Sequence, residues 1–298
     1  MKTGNGKIID GRLIAREMSN SVRDKIEGLY RASGVRPRLV SLSAGRNEGS
    51  DIYVNMQSRL AREVGIEFSI VELPVTVSQE DILCRIKALN KDDSVTSVIV
   101  QKPLPEGINH DKMVASLDPE KDAEGIHPYN LGKILRMEAQ IVPCTPGAVM
   151  KVLHSEGVDL FGKEVVIIGH SAIVGKPLSL MMLNALATTT VCHIGTHEKG
   201  DLKEHCRRAD IIVVAVGKAN MVKKDWVKPG AVVVDVGINR VDNKIVGDVD
   251  FSSVSEKTSL ITPVPGGVGP VTVAILMRNV YRSYKNRNFG SEKKETGK

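Results

Sequence analysis

Residues 161–187 hold the pattern that most constrains the fold. The apolar run Val165-Val166-Ile167-Ile168 ends at Gly169. His170, Ser171, Ala172, Ile173 and Val174 lead to Gly175, and Pro177 precedes an apolar stretch from Leu178 to Leu186. This reads as strand, glycine-bearing turn, helix. Proline suits the first turn of a helix, where its missing N–H is not needed. Such a turn presents backbone N–H groups and a helix N-terminus to a phosphate. Ser171 stands where G-x-G-x-x-G has its second glycine, so the segment reads equally as a nucleotide turn and as an ordinary βα turn.

The rest of the chain alternates in the same way. Strands are expected at Leu39 to Ala44, Ile66 to Leu73, Val95 to Val100, Thr189 to Ile194, Ile211 to Ala215 and Ala231 to Val236. Apolar residues at helical spacing predict a helix within Ile9 to Tyr30. Ser50 is expected to cap a helix from Asp51 to Val64, and Ser78 one from Gln79 to Leu89. Further helices are expected at His110 to Leu117, Gly147 to Glu156, Leu202 to Arg208 and Val271 to Tyr284. Asp118 to Ile126 reads as irregular, followed by a long polar connection to Pro143. The pattern is α/β in both halves, with mostly parallel sheets, and 298 residues suffice for two domains.

No apolar run approaches a membrane span, and the polar N-terminus does not read as a signal peptide. Cys84, Cys144, Cys192 and Cys206 have no C-x-x-C spacing; they read as reduced thiols of a cytoplasmic protein, with no metal site. The net charge of +6 draws on Arg278, Arg282, Lys285, Arg287, Lys293, Lys294 and Lys298. It reads as a solvated helix face followed by a disordered tail over residues 286–298, not as a nucleic-acid surface. Aromatic residues make up only 3% of the chain, too few to stack bases.

The second half fits a Rossmann-like unit. The second strand of such a unit normally ends in a carboxylate that binds the ribose hydroxyls of NAD. Here it ends Cys192-His193-Ile194-Gly195-Thr196-His197. The absent carboxylate leans toward NADP, with His193, His197 and Lys199 as candidates to meet a 2′-phosphate or as plain surface residues.

Several longer motifs occur in order: Ser50-Asp51-Ile52-Tyr53, Pro119 to Pro128, Val142-Pro143-Cys144-Thr145-Pro146, Gly169 to Pro177, Asp235-Val236-Gly237-Ile238-Asn239, and Pro263 to Thr272. Together they resemble the bifunctional methylenetetrahydrofolate dehydrogenase/methenyltetrahydrofolate cyclohydrolase family (FolD type), from about Ile9 to Tyr284. The resemblance implies an N-terminal folate-binding catalytic domain over residues 1–145 and 271–298, and a Rossmann-like domain over 146–270. The final helix would pack back on the N-terminal domain, with folate in the cleft between the two. A homodimer, a tetrahydrofolate substrate and NADP are implied as well. The dehydrogenase passes a hydride from 5,10-methylenetetrahydrofolate to nicotinamide; the cyclohydrolase opens the methenyl ring to 10-formyltetrahydrofolate.

Carried over position by position, the resemblance makes Tyr53, Gln57, Gln101 and Glu124 the catalytic candidates. Lys102, Leu104, Pro265, Gly266 and Gly267 join Tyr53, Gln101 and Glu124 as substrate contacts. Gly169, His170, Ser171, Ile173, Val174, Gly175, Pro177, Ile194, Gly217, Gly237 and Ile238 are the cofactor contacts. Three departures stand out. The family's catalytic lysine is Gln57 here, and an amide does not titrate near neutral pH. Water addition needs a proton acceptor, whereas hydride transfer needs mainly alignment. The dehydrogenase is therefore expected to survive better than the cyclohydrolase, whose step would then fall to a separate enzyme. Lys102 either restores the ammonium or points to solvent, away from Gln101. Glu124 replaces the family's folate-binding aspartate, with one more methylene. On the cofactor side, His170 stands for an arginine and Ile194 for a serine; both lean toward NAD against the family's NADP. The alternatives are a bifunctional enzyme with a proton path through Lys102 or Glu124, and a catalytically silent folate or dinucleotide binder.

Overall fold

The computed structural model describes residues 6–45, 48–242 and 244–289, without the side chains of residues 48–50. Elements β1 (Lys7–Ile8), α1 (Gly11–Ser33), β2 (Arg38–Ala44), α2 (Glu48–Glu63), β3 (Glu67–Leu73), α3 (Gln79–Lys91) and β4 (Ser97–Val100) alternate. Helices α4 (His110–Ala115), α5 (Pro128–Leu135) and α6 (Cys144–Ser155) follow. A second alternation runs β5 (Glu164–Ile168), α7 (Gly175–Asn184), β6 (Thr188–Cys192), α8 (Ile194–Glu198), α9 (Leu202–Arg208), β7 (Ile211–Val214) and β8 (Val232–Asp235). A hairpin of β9 (Asn239–Val241) and β10 (Lys244–Val246), then α10 (Phe251–Ser255), β11 (Leu260–Ile261) and α11 (Val268–Phe289) complete the chain. Among the described residues no helix is long and apolar enough to cross a membrane.

The contacts divide the chain into two units, one of Arg16–Val142 with the chain from Val273 onward, the other of the chain up to Ala15 with Pro143–Thr272. In the former, β3-β2-β4 form a parallel sheet, and Asp122 bridges in parallel to Val98 beside β4. Val40, Leu42, Val98 and Val100 of the sheet pack with Ile82, Ile86 and Leu89 of α3 and Met113 of α4. These apolar residues recur at strand and helix periods, so their burial accounts for both elements at once. Ser78 caps α3 as expected, its hydroxyl accepting from the Asp81 N–H at 3.1 Å. The later part of α11 belongs to this unit: Val273, Ile275, Met277, Val280 and Tyr284 are buried, and the Asn279 amide donates to Ala123 O (3.0 Å) and Val142 O (2.8 Å).

The other unit carries a six-stranded parallel sheet in the order β1-β11-β8-β7-β5-β6. From β5, one connection leads to β6 on one side and a later one to β7 on the other. Such a reversal is a topological switch point, and ligands of doubly wound sheets bind beyond the carboxyl ends of the strands there.

Several expectations are corrected. The first residues do not belong with the N-terminal domain: β1 pairs with β11 in the six-stranded sheet. The strand expected to reach Ile194 stops at Cys192, because His193 starts a new helix: its Nδ1 accepts from the Gly195 N–H at 3.2 Å, while Thr196 Oγ1 accepts from the His193 N–H at 3.3 Å. The polar connection before Pro143 contains α5, which His127 caps by accepting from the Tyr129 N–H at 3.0 Å. Residues 286–289, expected in a disordered tail, are helical; the remainder of that tail lies outside the described residues. Ser50, expected to cap a helix from Asp51, lies inside α2, which already starts at Glu48; its side chain is outside the described residues. The solvated basic face is also a packing face. Arg282 donates to Gln140 O, and Arg287 donates to Val95 O at 2.6 Å.

Candidate active site

In the three-stranded unit, Tyr53 and Gln57 lie one turn apart on α2. Tyr53 is 38% exposed, and Gln57 is 1% exposed. Gln101 follows β4, its N–H held by Leu42 O at 2.8 Å. Its side-chain Nε2 donates to Gln57 Oε1 at 2.7 Å and to Ser41 Oγ at 3.1 Å. Both hydrogens of the Gln101 amide are thus spoken for inside the protein, and the Gln57 carbonyl is occupied. Beyond this bond the Gln57 amide keeps its nitrogen as a donor and Gln101 its carbonyl as an acceptor. Neither takes a proton near neutral pH. Sequence reasoning missed Ser41, which carries no motif and is brought in only by the pairing of β2 with β4.

The loop after Gln101 turns through a cis Lys102–Pro103 bond. Lys102 is exposed and Leu104 half-buried. Lys102 lies in the loop beyond β4, and its charge acts on Glu124 and His110, lowering both. The Glu124 carboxyl is raised to about 8, chiefly by loss of solvation and next by the Asp122 charge, with Lys102 opposing. The neighbouring Asp122, 1% exposed, accepts from the N–H groups of Gly125 (3.0 Å) and His127 (2.8 Å) and from Asn130 Nδ2 (2.9 Å). Burial pushes its carboxyl up and these donors oppose the shift. Asp122 thus builds the turn that places Glu124.

In the six-stranded unit, Gly169 follows β5 with φ +124, and a Cβ there would lie 2.4 Å from Ala215 O. A Cβ on Gly175 would lie 1.9 Å from Gly169 O. The two glycines close the turn by backbone contact, leaving no room for side chains. Ser171, in the place of a glycine, is accounted for locally: its hydroxyl accepts from the Val174 N–H at 3.1 Å. Pro177 is buried in the first turn of α7, while His170, Ser171 and Ile173 stay exposed. The His170 and His193 rings lie 5.3 Å apart. Ile194 is 64% and Ile238 69% exposed, beyond β6 and β8 respectively. Gly217 lies beyond β7 with φ +67, and Gly237 beyond β8. The candidates Gly169 to Gly175, Ile194, Gly217, Gly237 and Ile238 therefore gather past the carboxyl ends of β5, β6, β7 and β8. The backbone cradle at Gly169 and Gly175, at the switch point and before a helix, fits a dinucleotide pyrophosphate.

Pro265, Gly266 and Gly267 lie in this unit, just before α11, after a cis Val264–Pro265 bond. A Cβ on Gly11 would lie 1.8 Å from Gly267 O, so the start of α1 is packed onto this loop. Asp235 and Asp248, both buried, were not site candidates: Asp235 entered only as the first residue of a family motif, and Asp248 carries no motif.

A doubly wound parallel sheet with its glycine turn at the switch point, joined to a second α/β unit bearing buried polar side chains, defines the class of two-domain, dinucleotide-binding enzymes. The comparisons with known proteins narrow it. The catalytic domain of tetrahydrofolate dehydrogenase/cyclohydrolase matches residues 9–124, and the NAD(P)-binding domain of the same family matches residues 143–288. The bifunctional protein FolD of Magnetococcus marinus is 46% identical over 279 residues, 93% of this chain and 97% of that protein. The crystal structure of FolD from Campylobacter jejuni superposes with a TM-score of 0.90 at 43% identity, covering 94% of this chain and 99% of that one. That of the Trypanosoma brucei enzyme, complexed with NADP and an inhibitor, gives 0.91 at 36% identity over 95% of this chain and 99% of that one. The chain belongs to the tetrahydrofolate dehydrogenase/cyclohydrolase family.

Proposed function

We propose that this protein oxidises 5,10-methylenetetrahydrofolate to 5,10-methenyltetrahydrofolate with NADP, and that its cyclohydrolase step is weak. The observation that carries this is the Gln57–Gln101–Ser41 chain of hydrogen bonds. Two neutral amides orient a bound ring without titrating, which suffices for hydride transfer and not for water addition. NADP, held at Gly169, Gly175 and the start of α7, would supply the acceptor: its nicotinamide would take the hydrogen that the folate methylene carbon gives up together with the electron pair of its C–H bond. Tyr53, Gln57 and Gln101 bind and align the folate, and Glu124 meets the pterin's N–H edge. Gly169, Gly175 and the start of α7 hold the pyrophosphate. His170 and Ile194 weaken the grip on a 2′-phosphate and bring NAD within reach as a second acceptor. The folate domain is the unit bearing α2 and β4, and the dinucleotide domain the six-stranded one. A homodimer in the cytoplasm follows the family's pattern, and β3, an edge strand with Ile70 41% exposed, offers a face for the partner.

A second reading is favoured by Glu124. A carboxyl raised to about 8 is poised near working pH, the condition for proton transfer, and would support a rearranged cyclohydrolase.

Purified protein assayed with methylenetetrahydrofolate and NADP or NAD tests both. The expected outcome is reduced nicotinamide with methenyltetrahydrofolate accumulating. A Gln57→Lys variant is expected to raise methenyl hydrolysis by about a hundredfold, the scale of positioned acid–base catalysis. Rapid hydrolysis by the wild type, lost in Glu124→Gln, would replace the first reading with the second. Binding without turnover would mark a silent binder.

A further inference from the structure

Asp235 and Asp248 are buried at 3% and 0% exposure, and the chemistry above uses neither. Asp248 Oδ2 accepts from the N–H groups of Val216 (2.7 Å) and Gly217 (2.9 Å), in the turn after β7. Its Oδ1 accepts from Asn239 Nδ2 at 2.9 Å, just past the turn after β8. Asp235, at the end of β8, accepts from the N–H groups of Gly237 (3.0 Å), Asp248 (3.0 Å) and Val249 (2.9 Å). One carboxylate therefore ties two separate turns together, and the other ties the first carboxylate's own backbone to β8. The glycines show how close the fit is. A Cβ on Gly237 would lie 2.2 Å from the Asp248 carboxyl, and one on Gly247 1.8 Å from Asp235 Oδ2. Each carboxylate lies over a glycine of the opposite segment.

Two buried carboxylates placed this near each other are costly in isolation. Burial raises Asp235 to about 6, with the Asp248 charge adding, despite three backbone donors. A hydrophobic pair would fill the space more cheaply, but it would leave five backbone N–H groups without acceptors. What the pair holds is backbone, and the backbone it holds carries Gly217 and Gly237, beyond the carboxyl ends of adjacent strands where a dinucleotide lies.

We infer that Asp248, braced by Asp235, is a positioning residue for the dinucleotide: it locks the turns after β7 and β8 in the one arrangement that receives the cofactor. The inference rests on the dinucleotide reading of this unit. A carboxylate accepts on both oxygens; an amide of the same shape must turn its NH2 either toward the Val216 and Gly217 N–H groups, donor against donor, or toward Asn239, which can accept only by flipping its own amide and giving up its contact with Val246 O. Asp248→Asn therefore frees one turn and leaves the packing volume unchanged.

The test is equilibrium binding of NADPH to the full-length protein, followed by nicotinamide fluorescence, beside steady-state kinetics in both substrates. Asp248→Asn is expected to weaken NADPH binding and raise the KM for NADP by about tenfold or more, the cost of a small misplacement. The KM for methylenetetrahydrofolate should stay within about twofold, since no fold-wide loss is involved. A purely structural role would lower the melting temperature without this split between the two KM values, and that result overturns the inference. Asn239→Ala removes one strut and keeps both carboxylates; it should weaken NADPH binding in the same direction and by less. If Asp248→Asn does not fold, wild-type affinity in Asn239→Ala overturns the inference. Absence of NADPH binding by the wild-type protein would instead refute the dinucleotide reading on which it rests.

Discussion

Glu124 shows how one side chain links pH to both binding and stability. Its carboxyl is raised to about 8 from an ordinary 4.5 by loss of solvation, with Asp122 adding. Near neutral pH it is mainly protonated. If its carboxylate receives the pterin's N–H edge, folate binding releases a proton, so the folate KM should fall by up to about tenfold per unit as pH rises toward 8, then level off. Glu124→Gln should abolish that slope in a pH series of KM values. The stability effect has the opposite sign. A raised carboxyl costs the fold nothing below 4.5, its cost grows from there to about 8, and it stays constant above. Relative to wild type, Glu124→Gln should thus gain melting temperature between about pH 5 and pH 8. A flat difference across that range would contradict the raised value.

At the scale of elements, α3 ends on a buried cation. Lys121, 1% exposed, donates from Nζ to Leu89 O (2.8 Å), Asn90 O (2.9 Å) and Asp92 O (2.7 Å). These are carbonyls at the helix C-terminus, where the helix dipole favours positive charge. Burial pushes the ammonium pKa down and Arg287 adds to that shift, while Asp118, Asp92 and Asp93 oppose it. Lys121→Met keeps the stem's volume and leaves three carbonyls without their donor. A loss of about 2–4 kcal/mol is expected, read as a downward shift of the transition assigned to this unit by calorimetry. The helices α1 and α11 illustrate a different point. Each begins in the unit of the six-stranded sheet and continues into the other, so their ends answer to different cores.

For the whole molecule, this connectivity means that neither unit is one continuous stretch of chain. A protein truncated after Thr272 lacks Ile275, Met277, Val280 and Tyr284, all buried with the three-stranded unit, and the Asn279 bonds to Ala123 and Val142. Limited proteolysis with mass spectrometry should find the Arg16–Val142 region cut readily, and the six-stranded unit should resist. Equal resistance of both regions would show that α11 is dispensable to the fold.

Local signals sufficed wherever one residue type answers one local demand. Apolar periodicity marked β2 to β8 and most helices but not the short β1, β9, β10 and β11; Ser78 marked its cap, and Gly169, Gly175 and Pro177 marked the turn and the helix behind it. The family motifs named Gln57, Gln101 and Glu124 as candidates, because their identities alone state what they can donate, accept or titrate. Residues whose work depends on partners distant in sequence left no such trace. Lys121 is 29 to 32 positions from the carbonyls it caps, and Asp248 is 31 and 32 from the N–H groups it holds. Serine 41 meets Gln101 only through the pairing of β2 with β4, and β1 is too short to be recognised until β11 lies beside it. Chain periodicity reports burial, which is local and repeated. Buried polar contacts are single and distant, so tertiary structure alone determined that a lysine ends α3 and that two aspartates bind the turns after β7 and β8 together.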